Sequence, residues 1–322
     1  MNHSTPGFAL GCVAVILSLS LDSGLSASEV KTWLLDPVDE PRERTVPLKV
    51  YCVEQNGPQP VILFSHGLGG SREGNAYLGN YWAVRGYVVV FMQHSGSDRE
   101  VWQSVPLAQR MSALKEAAGL KATLDRFQDV PFVIDVLESW NEEEGHELKG
   151  RLDLEHIGLS GHSYGAVTTL GLSGRKFPGD RAFRDDRIDA FLPLSPQPGK
   201  GLTPLEAFGH LEVPMLCMTG TEDGSPIDPN LSPAMRLEVY GALPAGNKFQ
   251  LVFDGAEHSA FGDSGGLKAR KRDPNHHPAI QKISGHFWDA YLKSSVESKA
   301  WLQSDSPREA CDLNERDTWE WK

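Results

Sequence analysis

From residue 46 onward, short apolar runs alternate with longer segments whose apolar residues recur at helical spacing. The runs fall at 46–53, 61–65, 87–92, 156–160, 190–194, 215–219 and 249–253. Most are about five residues long, rich in β-branched and aromatic residues and poor in polar alternation, as in strands covered on both faces. Helical spacing predicts helices over 72–85, 131–144, 164–173 and 278–294. In the second, Asp129 stands where an N-cap belongs and Pro131 falls in the first turn, while Phe132, Val133, Val136, Leu137 and Trp140 share one face. Strand–helix alternation of this kind predicts an α/β fold, a mostly parallel, doubly wound sheet with helices on both faces. Sites in such sheets form at the carboxyl ends of the strands.

Two stretches stand outside that rhythm. Residues 101–128 are long for a connection and partly helical in pattern, and 262–278 are rich in Gly, Asp and Pro. Either is a candidate for roofing a site or for a plain surface excursion.

The ends differ from the middle. Residues 8–21 are nearly all apolar and small residues follow through Ser28, so 1–27 reads as a signal peptide cleaved near Ala27. Export to a periplasm or the exterior is the expectation. A membrane anchor is the competing reading, although a span needs ~18 or more apolar residues. The domain is expected over 28–295, followed by an acidic C-terminal tail, 296–322, carrying Trp301, Trp319 and Trp321.

Composition changes the picture in two ways. Of 322 residues, 40% are hydrophobic and 23% charged, with a net charge of −12. Loss of 1–27 removes Asp22 alone among charged residues and leaves −11. Such a chain repels nucleic acid and anionic membrane surfaces, so neither is expected as a partner, nor is stable membrane insertion after signal cleavage. The basic run 268–272 reads as a solvated loop. Cys52, Cys217 and Cys311 would remain, enough for one disulfide; Cys52 and Cys217 also suit the core as free thiols.

The pattern Gly-x-Ser-x-Gly occurs twice. Gly161-His162-Ser163-Tyr164-Gly165 follows a strand run and opens a helix run, which marks a tight strand-to-helix turn that lifts the serine above the sheet edge. Gly262-Asp263-Ser264-Gly265-Gly266 looks like the serine signature of trypsin-like proteases, but the preceding sequence is α/β, so Ser264 is read as a loop residue. A serine needs a base, and the base an orienting acid. Beyond the run 215–219 comes Glu222-Asp223, and beyond 249–253 comes Glu257-His258. The candidate set is Ser163, His258 and Asp223, with Glu222 and Asp228 competing as the acid. Residues 61–65 lead into His66-Gly67-Leu68-Gly69-Gly70. Backbone N–H groups of Leu68 and Tyr164 are the candidate oxyanion donors. His276 and His277 are adjacent, without the carboxylate pattern of a zinc site, and are expected to bind nothing.

These residues resemble the α/β-hydrolase superfamily, and within it the dienelactone-hydrolase-like and chlorophyllase-like predicted esterases. That group borders platelet-activating-factor acetylhydrolases and polyester-cleaving cutinases. The matching segments are Phe64-Ser65-His66-Gly67-Leu68-Gly69-Gly70, Gln93-His94-Ser95-Gly96-Ser97-Asp98 and Ser160-Gly161-His162-Ser163-Tyr164-Gly165, and the likeness covers about residues 46–293. True dienelactone hydrolases use cysteine where this chain has Ser163. The resemblance therefore implies the α/β-hydrolase fold and acyl chemistry, not the dienelactone substrate, and implies that 94–98 borders the pocket. The expected activity is hydrolysis of a small-molecule or polymeric carboxylic ester through an acyl-enzyme, with no metal and no organic cofactor. A peptidase or acyltransferase on the same scaffold, and a non-catalytic binding protein, are the rivals. Oligomeric state is not indicated.

Overall fold

Each predicted apolar run becomes a strand of one sheet. In this computed structural model, which describes residues 1, 29–263 and 272–322, the strands are β1 (Val30–Leu35), β2 (Leu48–Val53), β3 (Gln59–Ser65), β4 (Val88–Met92), β5 (Leu152–His162), β6 (Ile188–Leu194), β7 (Met215–Glu222), β8 (Lys248–Glu257) and β9 (Thr318–Trp321). Apart from Met1, the expected signal segment lies outside the described residues, as does Ser264. The sheet runs β1-β2-β4-β3-β5-β6-β7-β8-β9. The six strands from β4 to β8 are mutually parallel. β1 and β2 at one edge, and β9 at the other, pair antiparallel.

The helices are α1 (Ala76–Val84), α2 (Glu100–Gln103), α3 (Arg110–Ala117), α4 (Leu120–Glu142), α5 (Tyr164–Leu172), α6 (Pro204–Phe208), α7 (Pro233–Ala242), α8 (His276–Leu292), α9 (Val296–Leu302) and α10 (Ser306–Ala310). They divide between the two faces, which is why the central strands are apolar throughout. Val61 and Leu63 of β3 join the core under α4, with Val130, Val133 and Leu137. Ile62 and Phe64 point the other way, into the core with Trp82 of α1 and Trp288 of α8. Each such buried side chain contributes about 1.5–3 kcal/mol relative to exposure.

Two expectations change, and one point left open is closed. The helix expected over 131–144 is α4, which starts eleven residues earlier at Leu120 and carries Pro131 inside it. Proline removes one backbone rung at a cost of roughly 3 kcal/mol. The turns before it offset that cost by burying Phe127 and Val130. Asp129 is therefore no cap; it is buried in mid-helix and accepts from Arg44 at 2.7 and 2.8 Å and from Arg42 at 2.9 Å. Second, the segment from 296 is folded onto the domain rather than trailing from it: β9 pairs with β8, and the buried Trp319 ring lies 5.9 Å from that of Phe249. As for a disulfide, Cys52, Cys217 and Cys311 are all free, buried thiols. Burial pushes the Cys217 thiol up to about 12. No helix among the described residues is long and apolar enough to cross a membrane.

Candidate active site

β5 ends at His162 and α5 begins at Tyr164, which leaves Ser163 to make the whole turn. Its backbone has φ 59° and ψ −111°, a conformation that L-residues rarely adopt and that persists only where surroundings impose it. The flanking glycines are required by contact. A Cβ on Gly161 would stand 2.4 Å from the Gly165 carbonyl oxygen, and one on Gly165 would stand 1.8 Å from that of Ser65. The turn is thus pressed onto the end of β3, and the Ser163 N–H is tied to the Leu194 carbonyl of β6 at 2.9 Å.

β8 delivers His258 into a short 3₁₀ turn, His258–Phe261, and β7 delivers Asp223. The structure brings Ser163, His258 and Asp223 together. Ser163 Oγ lies 2.8 Å from His258 Nε2, and His258 Nδ1 lies 2.7 Å from Asp223 Oδ1. An ionised carboxylate only accepts, so Nδ1 carries the proton and Nε2 is free to accept from the serine. Asp223 is fully buried, and Thr219 Oγ1 donates to its second oxygen at 2.8 Å. Burial alone would push this carboxyl up; the hydrogen bond and charge of His258 and the Arg236 guanidinium outweigh it and hold Asp223 below its ordinary value. Of the competing acids, Asp228 faces Lys200 at 3.3 Å and Glu222 ends β7.

Leu68 and Tyr164 line a cleft together with Ser163. Gly69 N–H donates to Ser97 and Gly70 N–H to Gly67, whereas the N–H groups of Leu68 and Tyr164 have no protein acceptor among the described residues. They are available to a ligand. The cleft has two lobes meeting at Leu68, Ser163 and Ile227. One, of about 540 Å³, is walled by the 66–71 loop, Met111, Leu114 and Pro226. The other, of about 340 Å³, is lined by Lys115, Ala118, Gln197, Lys200 and Asp228. Residues 101–128 thus flank the site through α3 and the turn after it.

Two side chains that sequence reasoning missed brace the set. Arg236 of α7 is buried beside Asp223, and His162 lies against His258, with ring centroids 4.8 Å apart. His162 Nε2 donates to the His258 carbonyl at 3.2 Å. Burial and the nearby His258 pull His162 down to about 3, so its ring is neutral. The expected pocket border at 94–98 is overturned: none of these residues lines either lobe of the cleft, and His94, Ser97 and Asp98 are buried, with the Ser97 carbonyl accepting from the Gly69 N–H at 2.9 Å. His276 and His277 pack on aromatic rings, at 4.4 Å from Phe253 and 3.5 Å from Tyr77. No group of three or more His, Cys, Asp or Glu side chains suited to a metal ion occurs among the described residues.

A family model described as platelet-activating factor acetylhydrolase, isoform II, matches residues 38–117. That segment spans β2, β3, the glycine-rich loop, α1, β4, α2 and α3, and stops short of Ser163. No curated protein matches the chain. A mostly parallel sheet of this strand order wound by helices on both faces is an α/β-hydrolase fold, and the match over residues 38–117 makes the chain similar to platelet-activating factor acetylhydrolases, which supports a hydrolase of the esterase or phospholipase type.

Proposed function

We propose that the protein is a serine hydrolase that cleaves carboxylic esters through an acyl-enzyme. The observation that carries this reading is the unbroken hydrogen-bond chain from Ser163 Oγ through both nitrogens of His258 to Asp223, at 2.8 and 2.7 Å. His258 Nε2 takes the serine proton as Oγ attacks the ester carbonyl, while Asp223 stabilises the imidazolium and keeps the ring oriented. The N–H groups of Leu68 and Tyr164 receive the developing oxyanion. Collapse of the tetrahedral intermediate passes the proton from His258 to the departing alkoxide. Water, deprotonated by His258, then attacks the acyl-enzyme and restores Ser163.

The larger lobe, with Met111, Leu114, Pro226 and Ile227 in its wall, suits an apolar substituent of the ester, and the smaller one a more polar substituent. The test is labelling by a fluorophosphonate probe and turnover of p-nitrophenyl esters, each compared with Ser163→Ala. Labelling is expected only with the serine present, and turnover should fall by roughly 10⁶, as for loss of a triad serine. Near-normal hydrolysis by the variant refutes the assignment. Amide substrates and competing alcohol acceptors offered in parallel separate an esterase from a peptidase or acyltransferase.

We further propose export, supported by the apolar stretch 8–21 and the small residues after it. N-terminal sequencing of the mature protein is expected to begin near Ser28; an intact Met1 overturns it.

A further inference from the structure

The loop that carries Leu68 rests on a buried cation. Arg126 of α4 is fully buried, yet its nearest bonds go to no carboxylate. Nη1 donates to the His66 carbonyl at 2.7 Å and toward Ser65 Oγ at 3.3 Å, and Nε donates to Ser97 Oγ at 2.9 Å. The guanidinium also lies 4.3 Å from the centroid of the Tyr164 ring. Burial pulls Arg126 down to about 10, which leaves it cationic at neutral pH. Burying a guanidinium is costly unless its donors are used, and here they are used on Ser65, His66 and Ser97 around the loop that carries Leu68, while its face meets the Tyr164 ring.

The bonds fix two successive peptide planes. The 66–67 plane is held by Arg126 through the His66 carbonyl. The 67–68 plane carries the Leu68 N–H opposite the Gly67 carbonyl, because the unit is planar and trans. That carbonyl accepts from His66 Nδ1 at 2.6 Å and from the Gly70 N–H at 3.0 Å. His66 can donate through Nδ1 because its Nε2 accepts the His94 N–H at 3.0 Å. It follows that the 3.4 Å approach of Arg126 Nη2 to His66 Nδ1 sets two donors side by side and is no hydrogen bond.

Beneath the loop lies a second Ser–His–Asp set. Ser65 Oγ is 2.9 Å from His94 Nε2, and His94 Nδ1 is 2.8 Å from Asp129. All three residues are wholly buried, so this set anchors and does not meet substrate. It joins the floor of the loop to α4 and, through Arg42 and Arg44, to the chain before β2.

We infer that Arg126 is a positioning residue that aims the Leu68 N–H at the reacting carbonyl oxygen, with the buried Ser65–His94–Asp129 set holding the loop beneath it. This rests on the acyl-transfer reading above. Arg126→Met should lower kcat on p-nitrophenyl butyrate by about 10², the loss expected for one oxyanion donor, with KM within about threefold. Affinity for a trifluoromethyl ketone, which forms the oxyanion on Ser163, should fall by the same factor as kcat/KM. A merely structural role would lower the melting temperature without that parallel loss. Arg126→Lys keeps the charge but cannot reach His66 and Ser97 together, and should lose about tenfold. A folded Met variant with kcat and ketone affinity near wild type overturns the inference. If the Met variant does not fold, a Lys variant within twofold of wild type does so. Wild-type protein that neither hydrolyses the ester nor takes the fluorophosphonate would instead sink the acyl-transfer reading itself.

Discussion

Arg236 lies against Asp223 in the protein interior, its Nε donating to the Asp223 carbonyl at 2.5 Å and standing 3.1 Å from the carboxylate. Its Nη1 reaches on to the Ser195 carbonyl at 2.7 Å, so one guanidinium ties the acid loop after β7 to the loop after β6. Both charges are almost fully out of water. Removing one member of such a pair strands the other, at a cost of about 3–5 kcal/mol. Arg236→Leu is therefore expected to lose that much stability in urea melts near neutral pH and to lower kcat as Asp223 loosens. Arg236→Lys should recover less than half, because one ammonium cannot serve both loops. A Leu variant as stable as wild type would show that Asp223 is held by His258 and Thr219 alone.

The turn at Ser163 makes a sharper demand. A methyl group on Gly165 would meet the Ser65 oxygen at 1.8 Å, and that oxygen belongs to backbone that cannot rotate away. Gly165→Ala should cost about 4 kcal/mol or more, or prevent folding, which places it among the severe single substitutions. Gly224, one residue beyond Asp223, has nothing within 4 Å of the same position. Gly224→Ala is expected to stay within about 0.5 kcal/mol of wild type. Thermal melts of the pair decide this, and equal effects would mean that the elbow is not pressed onto β3.

The sheet and the three side chains on its edge were open to sequence reading for one reason. Buried parallel strands are apolar on both faces, so their carboxyl ends are marked in the chain, and Ser163, Asp223 and His258 each follow such an end. What escaped was carried by interactions without local pattern. β9 is four residues long and owes its place to pairing with β8. Ser65, His94 and Asp129 stand on three different elements and meet only in the folded chain. Two signals were nevertheless present. Arg236 recurs in step with Val239 and Tyr240, and Arg126 shares the buried stripe of Val130, Val133 and Leu137. A cation on the apolar side of a helix must find acceptors inside. Pro131 misled because a helix start is its commonest place, and here packing on both sides of it outweighs the lost rung.

Buried neutral histidines give the stability a definite pH slope. His94 and His162 are pulled down to about 4 and about 3, chiefly by burial, and His66 well below its ordinary value. In the unfolded chain each takes a proton near pH ~6.5. Between that value and the folded one the unfolded state binds more protons, so stability falls as pH falls. Each group contributes a slope of up to ~1.4 kcal/mol per pH unit. Urea midpoints should drop steeply from pH 6 to pH 4.5, and His162→Gln should flatten the slope by about one such contribution. A slope unchanged in that variant would place a charged His162 in the folded protein.

Met111 tests what the larger lobe of the cleft is for. It lies on α3, about half exposed, and forms part of the wall facing Ser163. Burying apolar substrate against this rim gains roughly 0.8 kcal/mol per methylene. Met111→Glu keeps a good helix former on an exposed position, so stability should move by no more than about 0.5 kcal/mol. A carboxylate there would oppose a long apolar chain while leaving a short one untouched. KM for p-nitrophenyl octanoate is therefore expected to rise about tenfold, a cost of roughly 1.4 kcal/mol, with p-nitrophenyl acetate unaffected and kcat for both near wild type. If octanoate and acetate shift together, the chain does not lie along Met111, and the lobe lined by Lys115 and Gln197 becomes the place to look for it.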